Sequence, residues 1–317
     1  MEKLVSLVLP AFNETGNISV IVDKINRVFE GLAYKHEIII VDDGSSDDTL
    51  KAIKIQSEVF SHVYFLEFSR NFGHQLAVKA GMDYARGNCI ISMDCDLQHP
   101  PELIPELLKK WEEGYDVVYT IRAECKTLSK QKRKSSRLFY RTLNWLSGIG
   151  LEPGTADFRL MDRQVVDVFK RFSESEPFLR GLIKWVGFKQ YGLNYDPAQR
   201  FSGDSKYTVK KMMRLALQGV TSFSIKPLYT AVYLGFCFSI LSILYIPYVL
   251  YAVYFGREVS GWASIIMTIV FFGGLQLIIL GIIGIYIGKM FLQNKKRPNY
   301  IVRTTNLKPS RIDTVEF

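Results

Sequence analysis

The chain has 317 residues, 48% of them hydrophobic, and 40 Lys and Arg against 31 Asp and Glu give a net charge of +9. That excludes a chain too short or too polar to bury a core, and leaves room for more than one structural unit. Four cysteines (Cys89, Cys95, Cys125 and Cys237) without a CxxC pair argue against a zinc site and suit a reducing cytosol.

Met1 leads directly into an apolar, β-branched run over residues 4–9, too short for a signal peptide and followed by a polar turn instead of a cleavage site. Similar runs follow at 37–41, 63–68, 89–93 and 116–120. Helical patterns separate them, over 16–31, 47–60, 73–86 and 101–113. Pro101 with Glu102 suits a helix first turn, where no N–H is needed and the dipole favours an acid. Strands apolar on both faces that alternate with helices predict an α/β fold, a mostly parallel sheet covered by helices.

In such sheets ligands bind beyond the carboxyl ends of the strands, and polar residues collect there. Pro10, Phe12, Asn13 and Glu14 follow the first strand, and Asp42, Asp43 and a Gly-Ser-Ser-Asp turn follow the second. Ser69 to His74 follow the third, Asp94 and Asp96 the fourth, and Arg122 the fifth. Neither GxGxxG nor GxxxxGK[ST] is present, so any nucleotide phosphates fall to a metal and to side chains.

Residues 126–141 hold seven basic side chains and no acid: Lys126, Lys130, Lys132, Arg133, Lys134, Arg137 and Arg141. Leu138, Phe139, Leu143, Trp145 and Leu146 interleave just after, which predicts a basic amphipathic helix on an anionic bilayer surface. Residues 206–226 read the same way and lead into two charge-free runs, 227–255 and 259–288. Each exceeds the roughly 20 apolar residues that cross a bilayer, and only Gly256-Arg257-Glu258 lies between them. The expectation is a transmembrane hairpin. Lys206, Lys210, Lys211, Arg214 and Lys226 precede it and Lys289, Lys295, Lys296 and Arg297 follow it, which places both termini in the cytoplasm. The membrane accounts for the positive charge without a nucleic-acid partner. The expected organisation is a cytoplasmic catalytic domain (1–205), a juxtamembrane amphipathic helix (206–226), two transmembrane helices (227–290) and a basic, partly disordered cytoplasmic tail (291–317).

In an extended segment, side chains two apart share a face, so Asp94 and Asp96 would converge. Converging carboxylates suit Mg²⁺ or Mn²⁺, with Gln98 adding a neutral oxygen and His99 a nitrogen if the ion is Mn²⁺. A turn with an N-cap at Asp96 is the plainer reading. Asp42 and Asp43 are placed to accept hydrogen bonds from ribose or a base N–H, whereas Ser45, Ser46 and Asp47 read as turn and cap chemistry.

"LVLPAFNE", "VDDGSSDDT", "FSRNFGHQ" and "MDCDLQHPPE" resemble glycosyltransferase family two with its GT-A (Rossmann-like) fold. "GTADFRLMDR", "RFSGDSKY" and the two apolar runs narrow the resemblance to polyprenyl-phosphate glycosyltransferases, similar to dolichol-phosphate mannose synthases and bactoprenol glucosyltransferases. It covers about residues 4–295. The resemblance implies that Pro10, Phe12, Glu14 and Asp42 hold the uracil and ribose of a UDP-sugar, with Asp43 nearby. Asp94, Asp96 and Gln98 would bind the metal and diphosphate. Asp157 would lie near the acceptor phosphate, to position it or take a residual proton, although a carboxylate beside a phosphate needs a bridging cation. Arg122, Arg200 and Lys206 would neutralise phosphates. The implied reaction is an inverting transfer of one sugar, glucose for preference, to polyprenyl phosphate at the cytoplasmic face of a bacterial inner membrane. The implied enzyme is a homo-oligomer, with a tetramer among its forms. No QxxRW motif of processive synthases is present. The rival reading is a non-catalytic nucleotide-sugar sensor or scaffold of the same fold.

Overall fold

The computed structural model describes residues 2–122, 140–150, 152–175, 177–196, 219–256 and 261–307. They divide into two units, one built on a sheet and including the segment from Arg297, the other holding the long apolar helices.

In the first unit, β1 (Leu4–Ala11), β2 (Lys35–Asp42), β3 (Val63–Phe68), β4 (Cys89–Ser92), β5 (Val117–Arg122), β6 (Thr155–Asp162), β7 (Gln190–Tyr195) and β8 (Val302–Thr305) form one sheet. Its order is β7-β5-β6-β4-β1-β2-β3-β8. The strands of β1–β2, β2–β3, β1–β4 and β5–β7 run parallel, while β6 is antiparallel to both neighbours and β8 is antiparallel to β3. The unit's helices are α1 (Ile18–Glu30), α2 (Thr49–Val59), α3 (His74–Tyr84), α4 (Ile104–Glu112), α6 (Arg163–Lys170) and α7 (Leu179–Trp185), while most of α5 (140–147) belongs to the second unit. The expected mostly parallel α/β sheet is therefore present, with its first five strands and four helices close to where the periodicity puts them. Strands β6, β7 and β8 were not anticipated by it.

Central strands bury both faces: Val5, Leu7, Val8, Leu9, Ile38, Ile39 and Ile40 are fully inaccessible. On α1 the buried residues Ile18, Ile21, Val22, Ile25 and Phe29 recur at helical spacing, one stripe against the sheet. Helix α3 approaches closest, since a Cβ on Gly81 would lie 2.2 Å from Val8 Cγ1. The chain winds β1, β2, β3 to one side and then crosses to β4 on the other side of β1. The strand ends separate there and leave a crevice, the usual ligand position in open α/β sheets.

Part of the segment expected as a partly disordered tail returns to the sheet. Ile301 accepts the Ser69 N–H at 3.0 Å, and Asn306 Oδ1 accepts the Phe65 N–H at 2.8 Å. Tyr300 stacks on Phe68 with 5.3 Å between centroids, and its hydroxyl donates to Asp83 at 2.8 Å. Asp83 also pairs with the buried Lys79 at 2.9 Å, so the segment closes over the ion pair of α3.

At the opposite end of the strands, His36 and His62 both reach Asn26 Oδ1, at 3.0 and 2.9 Å. Burial, and then the neighbouring His62, lower the His36 pKa to about 4. The folded pKa lies below the ordinary 6.5, so this contribution to stability is complete above that pH and is lost as pH falls from 6.5 towards 4. Thermal unfolding in detergent should show about 1–2 kcal/mol of acid destabilisation across that window, discounted for partial exposure. The loss should flatten in His36→Gln; an unchanged pH profile in that variant would refute the assignment.

In the second unit, two long helices span Lys226–Tyr254 and Trp262–Asn294. Phe238 meets Phe271 and Phe272 edge-on, at 6.0 and 5.2 Å. Ile266, Ile269, Val270, Leu277 and Ile278 are exposed. By length and composition Ile265–Asn294 can cross a membrane, and Lys226–Leu241 is a shorter apolar stretch. At the polar end, the Lys289 ammonium donates to Ser222 Oγ at 3.1 Å and the Tyr286 hydroxyl to the Ser224 carbonyl at 2.6 Å. Most of the two basic stretches, 126–141 and 206–226, lies outside the described residues.

Candidate active site

The crevice edge is stitched together by short polar bonds. Asn13, in the left-handed region at φ 58°, donates its N–H to Ser45 Oγ at 3.0 Å and accepts the Ser46 N–H at 2.9 Å. Asp47 accepts from the Thr49 N–H at 3.1 Å and the Thr15 hydroxyl at 2.7 Å, so turn and cap chemistry describes it well. Glu14 Oε2 accepts from Asn17 at 2.5 Å. Phe12 stands out beside them, 45% exposed, while Pro10 is buried within β1.

The two acids after β2 behave differently. Asp43 Oδ1 accepts the Phe72 N–H at 2.7 Å, and Oδ2 accepts the Gly73 N–H at 3.0 Å. It is a clamp on the loop after β3, and this is its evident work. Gly44 makes the clamp possible: at φ +69°, a Cβ there would lie 2.6 Å from Arg70 C and Asn71 N. Asp42 has lighter company, a 3.3 Å bond from the Ser45 N–H. Burial pushes both carboxyls up, with hydrogen bonds pulling back.

After β4 the chain does not stay extended. It turns at Cys95 and Asp96, and Leu97 sits at φ 61°. The strand alternation expected to bring Asp94 and Asp96 together therefore does not operate; a turn sets their directions, with Asp96 Oδ1 accepting the Gln98 N–H at 3.1 Å. Cys95 between them is buried in the core. His99 is 1% exposed, stacks on Phe158 at 5.4 Å and accepts the Asp94 N–H on Nδ1 at 2.9 Å. That bond uses the Nδ1 lone pair, and burial lowers the pKa, so His99 is a neutral ring that anchors the loop.

Two carboxylates and an amide oxygen are the hard donors a divalent cation takes. Among the described residues no three His, Cys, Asp or Glu side chains form a ready-made cage. Such a donor set fits an ion that keeps waters and completes its shell with substrate phosphate. Gln98 Oε1 also accepts from Arg122 at 2.9 Å, and Arg122 Nε donates to the Tyr195 hydroxyl at 3.2 Å. The loop after β4 and the end of β5 thus meet through two of the expected site residues. Arg200 and Lys206 lie outside the described residues.

Three further residues carry charge here that sequence reasoning did not single out. His74, at the start of α3, bonds Asp94 Oδ1 at 2.7 Å. Although burial lowers its pKa, the bond to Asp94 and the charges of Asp94 and Asp157 push it up to about 9. Arg180, on α7, grips Asp157 through both oxygens: Nε to Oδ1 at 2.9 Å and a terminal nitrogen to Oδ2 at 2.7 Å. Arg159, 3% exposed, adds a bond to Oδ1 at 2.7 Å. Burial alone would raise the Asp157 carboxyl; Arg180 and then Arg159 outweigh it and hold it far below the usual range. Arg159 was findable, two residues along a strand from Asp157 and so on its face. Arg180 carried no local signal.

A mostly parallel α/β sheet with an acidic loop and arginines near its strand ends agrees with the expected GT-A fold. A family model described as glycosyl transferase family 2 matches residues 6–169. An uncharacterised glycosyltransferase, YkcC, of Bacillus subtilis (strain 168) is 44% identical over 299 residues, which cover 94% of this chain and 93% of that one. The bactoprenol glucosyl transferase of Shigella phage SfV is 38% identical over 305 residues, 96% of this chain and 99% of that one. Among solved structures, glucosyl-3-phosphoglycerate synthase from Mycobacterium tuberculosis, in complex with Mn²⁺, UDP-glucose and phosphoglyceric acid, matches 69% of this chain and 78% of its own at 19% identity and a TM-score of 0.47. The chain belongs to glycosyltransferase family 2 and is a glycosyltransferase.

Proposed function

We propose that this enzyme transfers one glucose from UDP-glucose to polyprenyl phosphate, with inversion, at the cytoplasmic face of a membrane that its two long helices cross as a hairpin. The observation that carries the reading is the extent of the match to the phage bactoprenol glucosyl transferase, which takes in the acidic loop, Asp157 and both long helices.

The chemistry is economical. The acceptor's phosphate oxygen is already ionised at neutral pH and attacks C1 as the bond from C1 to the diphosphate oxygen breaks, so no strong base is required. Asp94, Asp96 and Gln98 would hold Mg²⁺ or Mn²⁺, which supplies Lewis-acid stabilisation of the departing diphosphate. Arg122, fixed by Gln98 and Tyr195, places a permanent cation where phosphate charge develops. Phe12 gives the uracil a flat apolar surface, and Asp42 is the acid left to accept from ribose once Asp43 is occupied with its loop.

Purified protein incubated with polyprenyl phosphate, Mg²⁺ or Mn²⁺ and a panel of nucleotide sugars should form a lipid-linked hexose from UDP-glucose. Formation of product from none of the donors would favour the sensor or scaffold reading instead.

A further inference from the structure

Between α3, α7, β4 and β6 lies a niche of about 10 Å³, the room of one water-sized group. Its polar lining is His74, Gln75, Ser92, Asp157 and Arg159. Two bonds place its walls: Gln75 Oε1 accepts the Leu179 N–H at 2.9 Å, tying α7 to α3, and the Ser92 hydroxyl donates to the Asp157 carbonyl at 2.8 Å, tying β4 to β6. His74 both lines this niche and bonds Asp94 on the loop after β4, so the niche adjoins the place where the donor's diphosphate is held in the proposed reaction.

The carboxylate in the niche is unusually constrained. Asp157 Oδ1 takes two guanidinium bonds and Oδ2 one, and its side chain remains 27% accessible. An ionised phosphate has no proton to offer such a group and repels it, whereas a sugar hydroxyl is a donor of the right size. Paired with two arginines, the carboxylate is held as an acceptor in one orientation.

We propose that Asp157 accepts a hydrogen bond from one hydroxyl of the transferred sugar, and that Arg180 is the positioning residue that aims it, so that this pair selects the donor sugar. The inference rests on the sugar transfer proposed above. Within that reaction Asp157 discriminates among donors and does not take up a proton. Arg180 acts through its fork: lysine keeps the charge but cannot grip both oxygens at once.

The test uses the full-length enzyme with UDP-glucose and its 2-, 3-, 4- and 6-deoxy analogues, measuring kcat and KM for each. One deoxy donor should lose about 10- to 100-fold in kcat/KM with wild type, the scale of one hydrogen bond to a charged group. Asp157→Asn and Arg180→Lys should lose a similar factor with UDP-glucose and little further with that same deoxy donor. A purely structural role would lower all five donors alike in both variants, and would overturn the proposal. So would equal kcat/KM for every deoxy donor with wild type, which marks the niche as a water site. A base role predicts a kcat loss shared by all donors in Asp157→Asn, with the acid limb of the pH profile displaced, and excludes the proposal equally. If wild type transfers no sugar at all, the underlying reaction fails and the inference with it; transfer without hydroxyl dependence sinks the inference alone.

Discussion

Alanine at Asp94 or Asp96 should lower sugar transfer by about a thousandfold or more, because each substitution removes a hard donor where diphosphate charge must be balanced. The two variants should differ in one respect. Asp94 also bonds His74 at 2.7 Å, and its backbone N–H is fixed by His99, so Asp94→Ala additionally loosens the start of α3. Asp96 holds the turn through its bond to the Gln98 N–H, so Asp96→Ala loosens the loop after β4 instead. Chelation of divalent cations in the wild-type enzyme should mimic the activity loss of both. Full activity of either variant, or of wild type in EDTA, would remove the metal from this loop.

Asp157→Ala should be the most destabilising single change at the site. Its carboxylate is the partner of a guanidinium that is nearly inaccessible, Arg159, and of the more open Arg180. Removing it strands a buried positive charge, which costs about 3 kcal/mol after allowance for the partial exposure of the pair. Asp157→Asn keeps volume and one acceptor oxygen and should lose less. Pairing Asp157→Ala with Arg159→Met removes the stranded charge and should restore part of the loss. Thermal unfolding in detergent reads all three, and an Asp157→Ala protein as stable as wild type would show that Arg159 finds another acceptor. The two arginines that compensate the carboxylate also remove its readiness to take a proton.

The elements that define the fold were legible wherever burial on both faces writes a continuous apolar run, as in β1, β2 and β4, or a helix writes one buried stripe, as in α1. Strand β6 does alternate, with Ala156, Phe158 and Leu160 set between Thr155, Asp157 and Arg159, but its segment was read as a motif and not as a strand. Strand β8 hid because its register comes from a partner 241 residues away, seen in the bond from Phe65 to Asn306, while its own sequence is short and polar. At the site, polar strand ends were readable as a group, but their division of labour was not. Asp43 and Asp42 are adjacent, alike in sequence and both buried, and only the position of the Phe72 and Gly73 N–H groups marks Asp43 as the clamp. The turn at Cys95 and Asp96 depends on Leu97 taking a left-handed backbone that leucine seldom adopts, a fact no pattern announces.

Because β8 follows the two long helices in the chain, the sheet is finished only after them. A ribosome has made both long helices before Val302–Thr305 can cover the edge of β3 and Tyr300 can cap Phe68. Until then the β3 edge offers unpaired N–H and C=O groups, a template for pairing with another chain. The long apolar helices therefore come before the completed sheet in time, and a shortened version cut before them would keep every acid of the site but lose its protected edge. For anyone seeking a soluble fragment, the practical course is to join residues 297–307 back to the sheet through a linker in place of the helices.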